Sequence, residues 1–203
     1  MSNTSILTDI AYRDLHAINA KSKLRNTGTF TKPSTELDIL CQAIAKDLDN
    51  SDLNWYFEIF YSTRPTGIHN DANISTIMNS KCMKVLLIPL DWSTNTSPAT
   101  IIFNESYHTK VFEGKQPNTL ILADTLESIL SPFGKDMIID DVFYQERLSH
   151  SPRYALNGLS IKEELVWEYE KPVIFDSHLI HTAAKFNPGE WKFSLNGLGY
   201  KSI

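Results

Sequence analysis

From residue 54 onward the apolar residues come in short runs, separated by polar or proline-containing segments. These runs are rich in aromatic and β-branched residues, which favour strands and leave little room for long helices. We predict strands at 54–62, 84–90, 99–103, 108–112, 119–122, 165–169, 172–175 and 192–200. For residues 124–150 the sequence allows two predictions, a short helix near 125–130 or a polar loop.

The segment before residue 54 has a different periodicity, with apolar residues at helical spacing over 5–24. Pro33 and the polar pair Ser34-Thr35 open a second predicted helix, in which Thr35 and Asp38 resemble a capping pair. The expected buried stripe of this second helix is Leu37, Leu40, Ala43, Ile44 and Leu48. Two amphipathic helices are therefore expected before the first strand.

Two helices followed by seven or eight short strands predict a mainly β fold with a helical layer on one sheet. We expect one domain over 1–203, with a helical N-terminal layer over 1–53 and a core over 54–203. A double-sheet jelly roll accommodates this number of strands, and its interior can hold a small ligand.

Composition excludes several classes of protein. The 203 residues are 42% hydrophobic and 21% charged, as in an ordinary globular protein. The net charge of −5 disfavours a general nucleic-acid binder, which normally has a basic surface. No run approaches the roughly 20 apolar residues of a membrane span, and Met1 is not followed by a secretory signal. We expect a cytoplasmic protein whose Cys41 and Cys82 are reduced, structural thiols.

The strongest candidate for a functional motif is the pair His69 and Asp71. In an extended strand, residues i and i+2 point to the same face, so both side chains can reach one ion. A third ligand is available downstream, where both His178 and His181 follow a strand-like segment. Two histidines and one carboxylate form the facial triad that suits Fe(II). The alternative is a polar turn after a strand, with no metal.

The last predicted strand has two different faces. Lys192, Ser194 and Asn196 share one face, while Phe193 and Leu195 share the other. A lysine and a hydroxyl two residues apart can together bind one carboxylate. The polar face thus fits either a lined cavity or a surface strand with an exposed lysine.

Taken together, these motifs resemble the Fe(II)/2-oxoglutarate-dependent oxygenases, in particular the phytanoyl-type and prolyl-hydroxylase-like branches. The resemblance covers about 54–200 and implies a double-stranded β-helix of the jelly-roll type. It implies that His69, Asp71 and His181 bind Fe(II). Lys192, 11 residues after His181, would then hold the far carboxylate of 2-oxoglutarate. That spacing favours His181 over the neighbouring histidine.

Further residues near the motif are predicted to contact ligands. Ser194 is expected to assist 2-oxoglutarate binding. Tyr61 and Tyr56 of the first strand are either core aromatics or, for one of them and first of all Tyr61, a hydroxyl donor to 2-oxoglutarate. Arg64 is either a solvated loop residue or a contact to the substrate. The chain also departs from the family pattern, because many branches use arginine where Lys192 stands.

The activity that the resemblance implies is a dioxygenase reaction. Such an enzyme uses Fe(II), O2 and 2-oxoglutarate to hydroxylate a small-molecule metabolite or an amino-acid-like substrate, and it releases succinate and CO2. A peptidyl hydroxylase of the prolyl type is the alternative within this class. A non-catalytic jelly-roll or cupin-like binding protein is the alternative outside it. The sequence does not indicate an oligomeric state.

Overall fold

The computed structural model describes residues 5–19, 29–72, 74–75, 80–95, 97–106 and 136–202. The predicted strands at 108–112 and 119–122, and the helix near 125–130, lie outside the described residues. The elements in chain order are α1 Ile6–Asn19, β1 Thr29–Thr31, α2 Thr35–Leu48, β2 Asn54–Ser62, β3 Ile74–Ser75, β4 Ser80–Trp92, β5 Ala99–Ser106, α3 Asp141–Phe143, β6 Ile161–Val166, β7 Val173–Asp176, β8 Leu179–Ala183 and β9 Lys192–Ser202. A π-helical turn, Tyr144–Leu148, continues α3, and a 3-10 turn follows at Arg153–Leu156.

The described strands form two sheets in which every pairing is antiparallel. In the larger sheet the order is β1-β2-β9-β4-β3, and β7 also pairs with β4. In the smaller sheet the order is β6-β5-β8. The predicted mainly β class is confirmed.

The outer face of the larger sheet is covered by α1 and α2. Its core consists of alternate residues of β2, β4 and β9 packed against one stripe of each helix. The largest contributors from the sheet are Phe57, Ile59, Leu86, Ile88, Phe193 and Leu195. Gly197 belongs to this face, because the ring of Phe57 occupies the space that a Cβ would need, with Cε1 only 2.5 Å away. The predicted helical layer on one sheet is therefore observed, although β1 adds a strand within residues 1–53.

Helix α2 differs from its prediction in two details. Its N-cap is Ser34, whose hydroxyl accepts a hydrogen bond from the backbone N–H of Leu37 at 3.4 Å. The prediction that Thr35 and Asp38 form the capping pair is wrong, because Thr35 already lies within the helix. The buried stripe consists of Leu37, Cys41 and Ala45, while Leu40 and Ile44 are half-buried and Ala43 and Leu48 are exposed. Spacing of four residues keeps the stripe on one side of the helix.

Both cysteines are buried and free, and burial raises the pKa of the Cys41 thiol to about 12. This agrees with the prediction of reduced, structural thiols.

Two strands differ from the sequence prediction. The strand expected at 165–169 lies instead at Ile161–Val166. Strand β8 was not predicted, because its five residues are too few for a clear alternation. β8 pairs with β5 inside the smaller sheet, so long-range pairing rather than local propensity stabilises it.

A second core covers the outer face of the smaller sheet. Ile101, Phe103 and Ile180 from the sheet pack against residues of 139–159, among them Leu148 and Leu156. Both sheets therefore have one covered face, and their other faces line a shared cavity. None of the helices in the described ranges has the length and apolar character needed to cross a membrane.

Candidate active site

The segment after β2 runs antiparallel beside β8 and extends the smaller sheet by one short bridge. His69 and His181 exchange both backbone hydrogen bonds, at 2.9 Å and 2.8 Å. The backbone N–H of Asp71 donates to the carbonyl of Ser177 at 2.9 Å. This register places the side chains of His69, Asp71 and His181 in one cluster, although the third residue is far away in the sequence.

The three side chains present their donor atoms to one point. One donor atom from each of His69, Asp71 and His181 lies within 4.8 Å of the other two. The Nε2 atom of His181 is 3.3 Å from Oδ2 of Asp71. The two imidazole ring centroids are 4.2 Å apart. Within the described residues, His69, Asp71 and His181 form the group of side chains whose spacing suits a metal ion.

Backbone carbonyls orient both imidazoles. Nδ1 of His69 donates to the carbonyl of Gly67 at 2.7 Å, and Nδ1 of His181 donates to the carbonyl of Leu179 at 3.0 Å. A carbonyl can only accept, so Nδ1 carries a proton in each ring, and Nε2 is the nitrogen that remains to bind a metal. Two such nitrogens and one carboxylate fit Fe(II), with coordination positions left over.

His178, the competing histidine, has a different environment. Its Nδ1 is 2.8 Å from Oδ1 of Asp176, in the turn between β7 and β8. The same carboxylate oxygen accepts a hydrogen bond from the backbone N–H of His178 at 2.9 Å. His178 therefore belongs to a local turn motif and not to the cluster around His181.

The cluster opens into a cavity of about 580 Å³ between the inner faces of the two sheets. Its walls come from β2, β4, β5, β7, β8 and β9, together with the loop that carries His69. The polar residues among those that line it are Tyr56, Glu58, Thr66, His69, Asp71, Thr100, His181, Thr182, Lys192, Ser194, Asn196 and Tyr200.

Among the described residues that line this cavity, Lys192 is the one lysine or arginine. Its side chain is 4% exposed, and its Nζ lies 4.8 Å from the ring centre of Trp167 and 5.9 Å from that of Phe60. Burial lowers the pKa of the Lys192 ammonium to about 7. No carboxylate pairs with Lys192 in the part of the chain that the structure describes. A buried ammonium beside aromatic rings favours the binding of an anion, which would compensate its charge.

The polar face predicted for β9 points into this cavity. Ser194 is buried, and its hydroxyl donates to Oδ1 of Asn196 at 2.9 Å. Lys192, Ser194 and Asn196 all line the cavity, whereas Phe193 and Leu195 lie in the core beneath the helices. The interpretation of this strand as a cavity wall, and not as a surface strand, matches the structure.

The structure corrects the prediction for Tyr61. The Tyr61 ring packs on the helix-covered face, with its centre 5.6 Å from that of Trp191 and 6.4 Å from that of Phe193. The predicted contact from Tyr61 to 2-oxoglutarate is therefore wrong, and the alternative role of Tyr61 as a core aromatic is the one observed. Tyr56 is the tyrosine of β2 that lines the cavity, because residues an odd number of positions apart in a strand point to opposite faces.

Arg64 lies in the loop between β2 and the metal motif. It is exposed and is not one of the cavity-lining residues. Its backbone is held by Ser62, whose hydroxyl donates to the Arg64 carbonyl at 2.5 Å. A role for Arg64 in substrate binding stays a prediction.

Sequence reasoning missed a group of residues beside the metal loop. The hydroxyl of Thr182 donates to the carbonyl of Thr66 at 2.8 Å, which joins β8 to the loop of His69. Nε2 of His150 lies 3.3 Å from the same hydroxyl, and burial lowers the pKa of His150 to about 4. No sequence signal identifies these contacts, since they join segments far apart in the chain.

Comparisons with known proteins add information on the fold. No family model and no curated protein matches the chain. The solved structure of the epimerase SnoN, in complex with Fe3+, alpha ketoglutarate and nogalamycin RO, superposes with a TM-score of 0.50. It is 13% identical, and the match covers 97% of this chain and 74% of that chain. This likeness shows a shared fold.

Two further solved structures overlap too weakly to support an argument. A Pseudomonas putida prolyl-4-hydroxylase gives a TM-score of 0.42 at 12% identity, covering 99% of this chain and 90% of that chain. A Cellulomonas parahominis L-ribose isomerase gives a TM-score of 0.32 at 7% identity, covering 96% and 83%.

Proposed function

We propose that this protein is an Fe(II)- and 2-oxoglutarate-dependent oxygenase with a double-stranded β-helix fold, and that it hydroxylates a small molecule. The observation that carries the proposal is that two complementary features line one cavity. One is the cluster of His69, Asp71 and His181, and the other is the buried ammonium of Lys192. The first fits a divalent metal and the second fits a carboxylate.

In this proposal His69, Asp71 and His181 hold the metal. Bound Fe(II) together with 2-oxoglutarate supplies the activation of O2 for oxidation of a C–H bond, with release of succinate and CO2. The carbonyls of Gly67 and Leu179 accept hydrogen bonds from Nδ1 of the two imidazoles. Both rings are thereby held in one orientation with Nε2 left for the metal, which favours metal binding.

Lys192 would hold the far carboxylate of 2-oxoglutarate. Trp167 and Phe60 exclude water from its ammonium, so an ion pair formed there is stronger than one at the surface. The hydroxyl of Ser194, two residues further along the same face, can donate to the same carboxylate if it turns away from Oδ1 of Asn196. These groups bind and orient the cosubstrate, and they take no part in proton transfer.

The likeness to SnoN supports this proposal at the level of fold and ligand type. That protein binds iron and alpha ketoglutarate, and its fold is shared by this chain. The cofactor assignment for this chain depends on its own residues, because the identity of 13% is too low to transfer ligands.

A small molecule is favoured over a peptide as the substrate. A cavity of about 580 Å³ falls within the roughly 300–1,000 Å³ of small-molecule pockets. Part of that volume would be taken by 2-oxoglutarate. The remaining space suits a metabolite or an amino-acid-like molecule, while the peptidyl hydroxylase remains the second candidate.

The decisive experiment is formation of succinate from 2-oxoglutarate by the purified protein with Fe(II) and ascorbate. Slow turnover is expected even without the primary substrate, and it should disappear in the His69→Ala variant. The matched control is His16→Ala, because His16 is exposed on α1. Equal succinate formation by the wild type and His69→Ala would contradict catalysis at this site. Binding of 2-oxoglutarate without turnover would indicate the non-catalytic alternative.

A further inference from the structure

The middle of β2 carries a carboxylate on the inner face of the cavity. Glu58 lines the cavity and is half-buried. The hydroxyl of Tyr56, on the same face, donates to Oε1 of Glu58 at 3.2 Å. Across the sheet, Glu58 pairs in register with Asn196, another cavity-lining residue. In the sequence, Glu58 is the residue that interrupts the apolar run of β2.

Three acidic or basic residues are described in the lining of the cavity, namely Glu58, Asp71 and Lys192. In the proposed function Asp71 belongs to the metal cluster, and Lys192 binds the far carboxylate of 2-oxoglutarate. Glu58 is then the described charged lining residue to which neither the metal nor the cosubstrate assigns a role. A carboxylate in the cavity wall favours a ligand that brings a positive charge.

Aromatic faces complete this environment. Tyr56, Phe175 and Tyr200 line the cavity, and the Phe175 ring centre lies 5.0 Å from that of His181. Phe30, which is 58% exposed, stacks on Phe60 with ring centres 4.4 Å apart. Aromatic faces attract organic cations through their quadrupoles, and the carboxylate of Glu58 lines the same cavity and contacts one of these rings, Tyr56, through its hydroxyl. Anionic substrates are disfavoured by the same groups.

We propose that the substrate is an organic cation, a protonated amine or a quaternary ammonium compound, and that Glu58 is the residue that selects it. The proposal rests on the proposed oxygenase function, because that function assigns Asp71 to the metal and Lys192 to the cosubstrate and thereby leaves Glu58 for the substrate. Glu58 acts by binding the cationic group of the substrate and not by contacting the metal.

The test compares ligands that differ only in charge. Choline and its neutral isostere 3,3-dimethylbutan-1-ol form one pair, and pentylamine and pentan-1-ol form a second pair. Binding is measured by calorimetry or ligand-observed NMR on the full chain, loaded with Mn(II) and 2-oxoglutarate under anaerobic conditions. At least one cation should bind about tenfold or more tightly than its neutral partner. In Glu58→Gln this preference should fall to about twofold or less. Glu36→Gln, an exposed glutamate of α2, should retain it.

The outcomes separate this inference from the function on which it rests. If the wild type binds Mn(II) and 2-oxoglutarate but prefers neither cation, the inference is overturned and the function stands. If Glu58→Gln binds 2-oxoglutarate more tightly than the wild type, Glu58 lies beside the cosubstrate, and selection of the substrate by Glu58 is overturned. If the wild type binds no 2-oxoglutarate in the presence of metal, the function and the inference fail together.

Discussion

The ammonium of Lys192 lies 4.8 Å from the ring centre of Trp167, in a wall where the lysine side chain is 4% exposed. Burial removes the water that would stabilise the ammonium, and contact with aromatic rings replaces only part of that stabilisation. The pKa of Lys192 therefore falls to about 7. The free protein thus holds a lysine that is only partly charged at neutral pH. An anionic ligand that pairs with this lysine would raise its pKa again.

Binding of 2-oxoglutarate should therefore depend on pH. With the pKa of free Lys192 at about 7, the binding-competent ammonium predominates below pH 7 and is lost as the pH rises above it. The apparent affinity should fall by up to about tenfold per pH unit above 7. Calorimetry in buffers of different ionisation enthalpy should show uptake of close to one proton at pH 8.5 and little at pH 6. Affinity that is constant from pH 6 to 9 would exclude this role.

Removal of the Lys192 head group should weaken 2-oxoglutarate binding. Lys192→Ala leaves a carboxylate without its partner in a buried site, which costs about 3–5 kcal/mol. Metal affinity should change little, because Lys192 is not part of the His69, Asp71 and His181 cluster. Lys192→Arg should retain part of the affinity. Titration of 2-oxoglutarate into the Mn(II)-loaded anaerobic protein is the measurement, with the exposed Lys171→Ala as control. If Lys192→Ala bound 2-oxoglutarate as tightly as the wild type, another group would have to bind the far carboxylate of the cosubstrate.

The same lysine should destabilise the ligand-free protein. Because its folded pKa is lowered from 10.5 to about 7, the unfolded state binds more protons between these values, and stability rises with pH across that window. Lys192→Met should therefore raise the free energy of unfolding at pH 7 by about 4 kcal/mol, and the gain should shrink toward pH 10. Denaturant unfolding at several pH values measures this. A Lys192→Met protein that is less stable than the wild type at pH 7 would show that the ammonium is compensated in the folded state.

Each residue of the cluster should be needed for metal binding. Alanine at His69, Asp71 or His181 should lower Mn(II) affinity by more than the roughly 10–100-fold effect of residues that only support ligands. His178→Ala should retain most of the affinity, because His178 bonds to Asp176 instead. Electron paramagnetic resonance titration of Mn(II) measures all four variants. Loss of binding in His178→Ala with retention in His181→Ala would reverse the assignment.

Thr182 should position the metal loop. Its hydroxyl donates to the carbonyl of Thr66, so Thr182→Val removes a contact between β8 and the loop of His69. We expect metal affinity to fall about tenfold, while the free energy of unfolding falls by only about 1 kcal/mol. Thr100→Val is the matched control, because the Thr100 hydroxyl accepts from Trp167 and does not contact this loop. Equal effects of both substitutions on metal affinity would assign Thr182 a general structural role.

Local pattern determined much of the secondary structure and the relative faces of the strands. The limits of β2 agree with the prediction, and the split of β9 into a polar face and an apolar face is observed. His69 and Asp71 lie on one side of their segment, as spacing by two residues requires. These features are local, because side-chain alternation depends only on the extended backbone.

Only the tertiary structure decided which faces and which distant residues meet. Alternation shows that Tyr56 and Tyr61 point to opposite faces, but the packing of α1 and α2 decides that Tyr56 faces the cavity. The backbone bridge between His69 and His181 places His181 at the cluster, and it depends on a strand too short to predict. Likewise, burial of Lys192 results from walls contributed by other strands. Register between distant segments is determined by long-range hydrogen bonds and packing, and no local periodicity encodes it.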